Sequence, residues 1–132
     1  MKNKISLLLR IAVAIIFLQT LYFKFSAHPD SIYIFSQLGA EPVGRITLGF
    51  IELICAVLLL VPTTKNVGII LSTGIILGAV ASHLGPLGIV VQNDGGKVFF
   101  LALAILVACS ILIAIHFREI LAMIPFLKRK AA

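Results

Sequence analysis

Two ionisable side chains interrupt long apolar runs in this chain. Glu52 lies midway along the run from Val43 to Val61, and His83 lies well inside a run that opens near Asn66. A carboxylate and an imidazole are the side chains best suited to holding and passing protons, and histidine titrates near neutral pH. Inside a bilayer such groups are costly and face a partner, a cavity or a ligand. Lys24 and Arg45 stand nearer the ends of their runs, where a cation can pair with Glu52 or attract an anion. Gln19 adds an uncharged hydrogen-bonding group. Thr20 and Lys24 are spaced i, i+4 and share a helix face, as do Arg45 and Glu52 two turns apart.

Depth follows from the helical rise. Measured from the same side, Glu52 stands roughly 14 Å, Gln19 roughly 21 Å and His83 roughly 24 Å along their helices at 1.5 Å per residue. The expected arrangement is a polar pocket in one half of a helix bundle. Glu52 floors it, Gln19 and His83 wall it, and Lys24 and Arg45 form its rim. Glu52 and His83 are the candidates for proton handling, and the five residues together are the candidate ligand site. A plainer reading stands beside each. Lys24 and Arg45 could snorkel to headgroups, Glu52 could form a structural pair with Arg45 or Lys24, and His83 could be a satisfied interfacial histidine. Whether Glu52 and His83 touch is open.

The elements that must position these groups are four apolar segments, about 5–27, 43–61, 66–84 or 66–91, and 97–117. Each is close to the ~20 residues a bilayer-spanning helix needs. The fold class is therefore all-α, an integral membrane four-helix bundle in one transmembrane domain over 1–132. Composition agrees: 61% of residues are hydrophobic and 12% charged, against about half and a quarter in soluble domains. The first segment follows the basic stretch Met1–Lys4 but is longer than a signal-peptide core and lacks an Ala-x-Ala site, which favours a retained helix.

Eight of the eleven lysines and arginines fall on the side of the two termini and the 63–66 turn. The positive-inside rule then puts both termini in the cytoplasm. Arg10 reads as an anchor on that side, and His28 and His116 as interfacial. The net charge of +6 gathers at segment ends rather than on an aromatic-studded basic face, which excludes nucleic acid as a partner. Between the first two segments, Pro29 at a helix start, Gly39 at a helix end and Ile32, Phe35 and Leu38 at helical spacing predict a short interfacial helix.

Several features have plain readings. Gly74, Gly78 and Ser82 form a small-xxx-small pattern, which serves packing within the bundle or a homo-oligomer face. Cys55 and Cys109 show no metal-ligand or Cys-x-x-Cys spacing and read as core residues; no metal site is expected. Gly85-Pro86 either kinks the third helix or ends it at Leu84. Asp94, in the turn 91–97, reads as a turn residue, with an ion pair to Lys24 or Arg45 as the alternative.

Leu21-Tyr22-Phe23-Lys24-Phe25, Gly49-Phe50-Ile51-Glu52-Leu53, Leu58-Leu59-Leu60-Val61-Pro62 and Gly78-Ala79-Val80-Ala81-Ser82-His83-Leu84 occur in that order. Together they resemble the DoxX family of small bacterial four-helix membrane proteins. The resemblance implies an inner-membrane bundle in which Lys24, Glu52 and His83 are the intramembrane polar positions. Some relatives are linked to a quinone-reducing thiosulfate oxidoreductase and others to membrane redox-stress complexes. Gln19-Thr20 departs from the small residue and glycine that many members carry before the lysine motif.

Three functions follow as expectations. The first is a redox component or accessory whose pocket takes a quinone headgroup or a small sulfur species, with electrons supplied by a membrane redox partner, because the chain has no haem, flavin or iron–sulfur motif. The second is a binding or transport module for a small polar molecule or lipid headgroup. The third is a structural or assembly factor without catalysis.

Overall fold

The computed structural model describes residues 2–124. The basic cluster Lys128, Arg129 and Lys130, which contributes to the charge asymmetry, lies outside them. Six helices follow in order: α1 Lys2–Phe25, α2 Pro29–Gln37, α3 Val43–Leu60, α4 Lys65–Leu84, α5 Lys97–Ile115 and α6 Phe117–Ala122. The described residues contain no strand. Four of the helices, α1, α3, α4 and α5, are long and apolar enough to cross a membrane, so the chain is a multi-pass membrane protein associated with a lipid bilayer. Each packs on its neighbours in the ring α1–α3–α4–α5, which closes from α5 back to α1.

The shared interior is small and apolar. Val13, Ala14 and Phe17 of α1 meet Cys55, Ala56 and Leu59 of α3, Ile69 and Ile76 of α4, and Ala102, Ile105, Cys109 and Leu112 of α5. Both cysteines are free and fully buried within this cluster. Most remaining leucines, isoleucines and phenylalanines point outward, as a bundle solvated by lipid requires.

Local chemistry sets the helix ends. Pro29 opens α2, and the His28 ring Nδ1 accepts from the Asp30 amide at 3.2 Å, satisfying one of the amides left open at a helix start. Gly39, at φ +69°, takes the left-handed conformation that ends a helix and that glycine adopts without cost. Ser31, Ile34, Phe35 and Leu38 share one face of α2 and turn it toward the bundle.

The third span ends at Leu84, so the longer alternative to Val91 is not adopted. Gly85 stops the helix, and the amides of Gly85 and Leu87 both return to the Ser82 carbonyl. Residues 85–96 then fold as a loop against the bundle, with Leu87 and Val91 buried. The fourth span breaks at His116, whose φ of −103° and ψ of 18° separate α5 from α6. α4 begins at Lys65 rather than Asn66, and the Asn66 side chain does not cap it.

Candidate functional site

The polar residues of α1 and α3 meet where the two helices run side by side. Lys24 Nζ lies 3.0 Å from Glu52 Oε2, and the two side chains are only 12% and 7% exposed. Thr20 Oγ1 stands 3.0 Å from the same oxygen and 2.8 Å from the Phe17 carbonyl. The i, i+4 spacing of Thr20 and Lys24 thus delivers two donors to one carboxylate on the facing helix. Lys24 does not snorkel away from the bundle; it turns in and neutralises Glu52.

Arg45 has a different partner. Its Nε donates to both carboxylate oxygens of Glu41 at 3.0 Å, one turn earlier in the chain, and Nη1 donates to the Lys24 carbonyl. It is buried where α3 meets the end of α1 and is not part of the pocket rim expected for it. Glu41 claims it because i, i+4 geometry needs no rearrangement, whereas Glu52 is already held by Lys24.

His83 is buried, with its ring 5.5 Å from that of Phe99. Its Nδ1 sits 2.9 Å from the Gly88 carbonyl. A carbonyl only accepts, so Nδ1 carries the hydrogen, and in the neutral form of the ring Nε2 is then an acceptor. The bond pins the loop 85–96 over the end of α4. Asp94 organises the same loop: its carboxylate accepts from the amides of Val91, Gly96 and Val98 at 2.7–3.2 Å. Slight burial pushes the Asp94 carboxyl up, but the three amides and nearby His83 outweigh it and hold it below the usual range. Asp94 makes no ion pair with Lys24 or Arg45 among the described residues.

These groups surround a cavity of about 530 Å³, within the usual size range of small-molecule sites. Gln19, Thr20, Lys24, Glu52 and His83 line it, while Asp30, Asp94 and Lys97 contribute from α2, the loop and the start of α5. Its remaining walls are mainly aliphatic and aromatic, with Phe17 and Ile105 at the core and Ile34, Phe35 and Leu38 along α2. Glu52 and His83 line the same cavity without a hydrogen bond between them. Thr20 is the residue that sequence reasoning undervalued; its shared face with Lys24 was the available signal.

The family comparison can be read against this geometry. The chain matches the profile of the DoxX-like family over residues 8–112. It belongs to that family. The match covers all four spans from Leu8 to Leu112 and so contains every cavity-lining residue of this DoxX-like protein. No curated protein and no solved structure matches the chain.

A second polar cluster lies at the opposite end of the DoxX-like bundle. Arg10, only 6% exposed, donates through Nη1 to the Leu59 carbonyl at 2.7 Å and through Nε to Ser6 Oγ at 3.2 Å. Ser6 Oγ is 2.6 Å from His116 Nε2, and His116 Nδ1 is 3.1 Å from Glu119 Oε2. Asn66 Nδ2 and Lys65 Nζ reach the same Glu119 oxygen at 3.0 and 3.4 Å. Arg10 and His116 are therefore buried members of a network joining α1, α3, α4, α5 and α6, not a headgroup anchor and an interfacial histidine. The i, i+4 pair Ser6/Arg10 and the i, i+3 pair His116/Glu119 were the signals for it. The Asn66 hydrogen bond, followed by the charges of Lys65 and His116, holds the Glu119 carboxyl below its ordinary range.

Proposed function

We propose that this DoxX-like protein is a membrane redox accessory whose cavity holds the headgroup of a quinone. The observation that carries the reading is the Lys24–Glu52 pair at 3.0 Å set into a largely apolar cavity. The charges cancel, so the site offers directed hydrogen bonds without net attraction for an anion. A neutral ring with oxygen atoms on its edges suits such a site better than an anionic sulfur species does. Lys24 retains donors beyond its bond to Glu52, and His83 Nε2 can accept from a hydroxyl. A bound quinone would supply two-electron, two-proton chemistry. The chain's own part is to orient the ring, exclude water and hold protons at Glu52 and His83. Electrons come from a redox partner in the membrane.

The distribution of lysine and arginine supports both termini in the cytoplasm, and membership of the DoxX-like family supports a bacterial inner membrane. On that reading the cavity belongs to the outer leaflet and α2 lies at its interface.

The test is to extract lipophilic molecules from protein purified in mild detergent and quantify quinone by mass spectrometry. Near-stoichiometric quinone in the wild type, lost in Glu52→Gln with the fold intact, is the expected result. An empty wild-type protein that also fails to bind added quinone would overturn the reading.

A further inference from the structure

The quinone reading says what the cavity holds; the α3–α4 seam says how a ligand reaches it. Gly74 and Gly78 both line the cavity and are both exposed. The wall of the cavity is therefore open beside them. They lie nine and thirteen residues beyond Lys65 in a helix that runs to Leu84, roughly 14 and 20 Å along it at 1.5 Å per residue. In a span that crosses a hydrocarbon core about 30 Å thick, that depth is occupied by acyl chains, not water.

The seam is built to open there and not below. Residues 68, 75 and 82, seven apart, follow one line up α4, and 74 and 78 lie beside that line. At Gly68 an added Cβ would stand 2.8 Å from the Leu59 amide nitrogen and 3.0 Å from the Leu58 carbonyl carbon, so α3 and α4 touch backbone to backbone. At Gly74 and Gly78 an added Cβ would meet nothing within 4 Å. The small-residue pattern on α4 thus clears space over these two positions in place of packing another helix. Glu52 and Leu48 face the same cavity from α3.

We propose that Gly74 and Gly78 frame a lateral portal from the bilayer into the cavity, and that the ligand is a bilayer-dissolved molecule with a neutral polar head and a long apolar tail left in the portal. This rests on the quinone reading for the head and adds the tail and the route. Gln19 and Lys97, also exposed and cavity-lining, give the head a separate polar opening. A tail at mid-depth has no reason to leave the hydrocarbon, because each CH₂ moved into water would cost hydrophobic free energy.

The experiment measures binding of a benzoquinone with a decyl chain, and of the same ring without it, to full-length protein in lipid nanodiscs. Wild type, Gly78→Leu and Gly74→Leu are compared, with thermal melting as the fold control. The open space at both positions lets a leucine enter without displacing backbone. The expected result is a Kd for the tailed compound raised at least ten-fold in either variant, with the tail-less Kd changed less than two-fold. Unchanged Kd for the tailed compound in both folded variants would overturn the portal and leave the quinone site standing. Equal losses for both compounds would also overturn it, by showing that the glycines serve the head. Failure of wild type to bind either compound would remove the quinone reading and the portal together.

Discussion

Replacing Lys24 with methionine should cost this bundle more stability than any other single change at the site. The substitution keeps most of the apolar stem and removes the charge 3.0 Å from Glu52 Oε2. At that separation the attraction is about 5 kcal/mol for an effective dielectric of about 20. Desolvation of both groups offsets much of this in the wild type. In Lys24→Met the offset remains and the attraction does not, and removal of one member of a buried pair costs about 3–5 kcal/mol. Glu52, with its side chain 7% exposed, cannot recover its hydration without opening the helices. The double variant Lys24→Met/Glu52→Leu removes both charges. Thr20 is not stranded there, since it keeps the Phe17 carbonyl at 2.8 Å. Its stability should return to within about 1 kcal/mol of wild type, as replacement of buried pairs by apolar residues often does. Unfolding followed by circular dichroism, in mixed micelles with rising denaturing detergent, gives both values. If Lys24→Met loses less than about 1 kcal/mol, and its effect simply adds to that of Glu52→Leu, the two charges are not coupled and the argument for a neutral pair fails.

Other substitutions probe the rest of the frame. Asp94→Ala removes the acceptor for three amides and should cost about 2 kcal/mol, the upper end for loss of a helix cap, with faster hydrogen exchange at Val91, Gly96 and Val98. Gly68→Ala forces a Cβ against the Leu58–Leu59 backbone and should lose about 1–3 kcal/mol, as overpacked cores do; an unchanged melting temperature would contradict the close seam. Asp94 and Glu119 both have folded-state values below the ordinary one. Their contribution is full above the unfolded carboxyl value of about 4 and is lost as pH falls through the lower folded values. Melting temperature should therefore drop on acidification below about pH 4, and less steeply in Glu119→Gln.

The spans were legible because apolar length is a direct requirement of the bilayer. Val43 opens α3 and Lys97 opens α5 in the structure, as the segment boundaries predict. The partners of the polar groups were harder to read. Arg45 and Lys24 were equivalent suitors of Glu52 by type, and only helix rotation, with Glu41 one turn from Arg45, separates them. Arg10 looked like an anchor because it sits one turn into an apolar run. Its burial depends on Ser6, Leu59 and His116, which span nearly the whole chain. Sequence distance hides such a cluster, since no periodicity links residues 6, 59 and 116. Gly74 and Gly78 carry the small-residue signature of a packed seam, and the signature alone does not say whether space is filled or left open.

The Lys24–Glu52 pair also bears on how the protein is made. α1 precedes α3 in the chain and is synthesised first, so Lys24 can be at the membrane before Glu52 is inserted. A lone acidic residue at mid-helix raises the cost of partitioning by about 2.5–3.5 kcal/mol. A cation waiting on the previous span removes much of that cost at the moment it would be felt. Arg45 reaches the membrane boundary with Glu41 four residues ahead of it, its charge matched from the start. The first two spans can therefore enter with Glu52 and Arg45 already paired, before α4 and α5 exist to shelter them, and chain order becomes part of the means by which this protein carries charge into a bilayer.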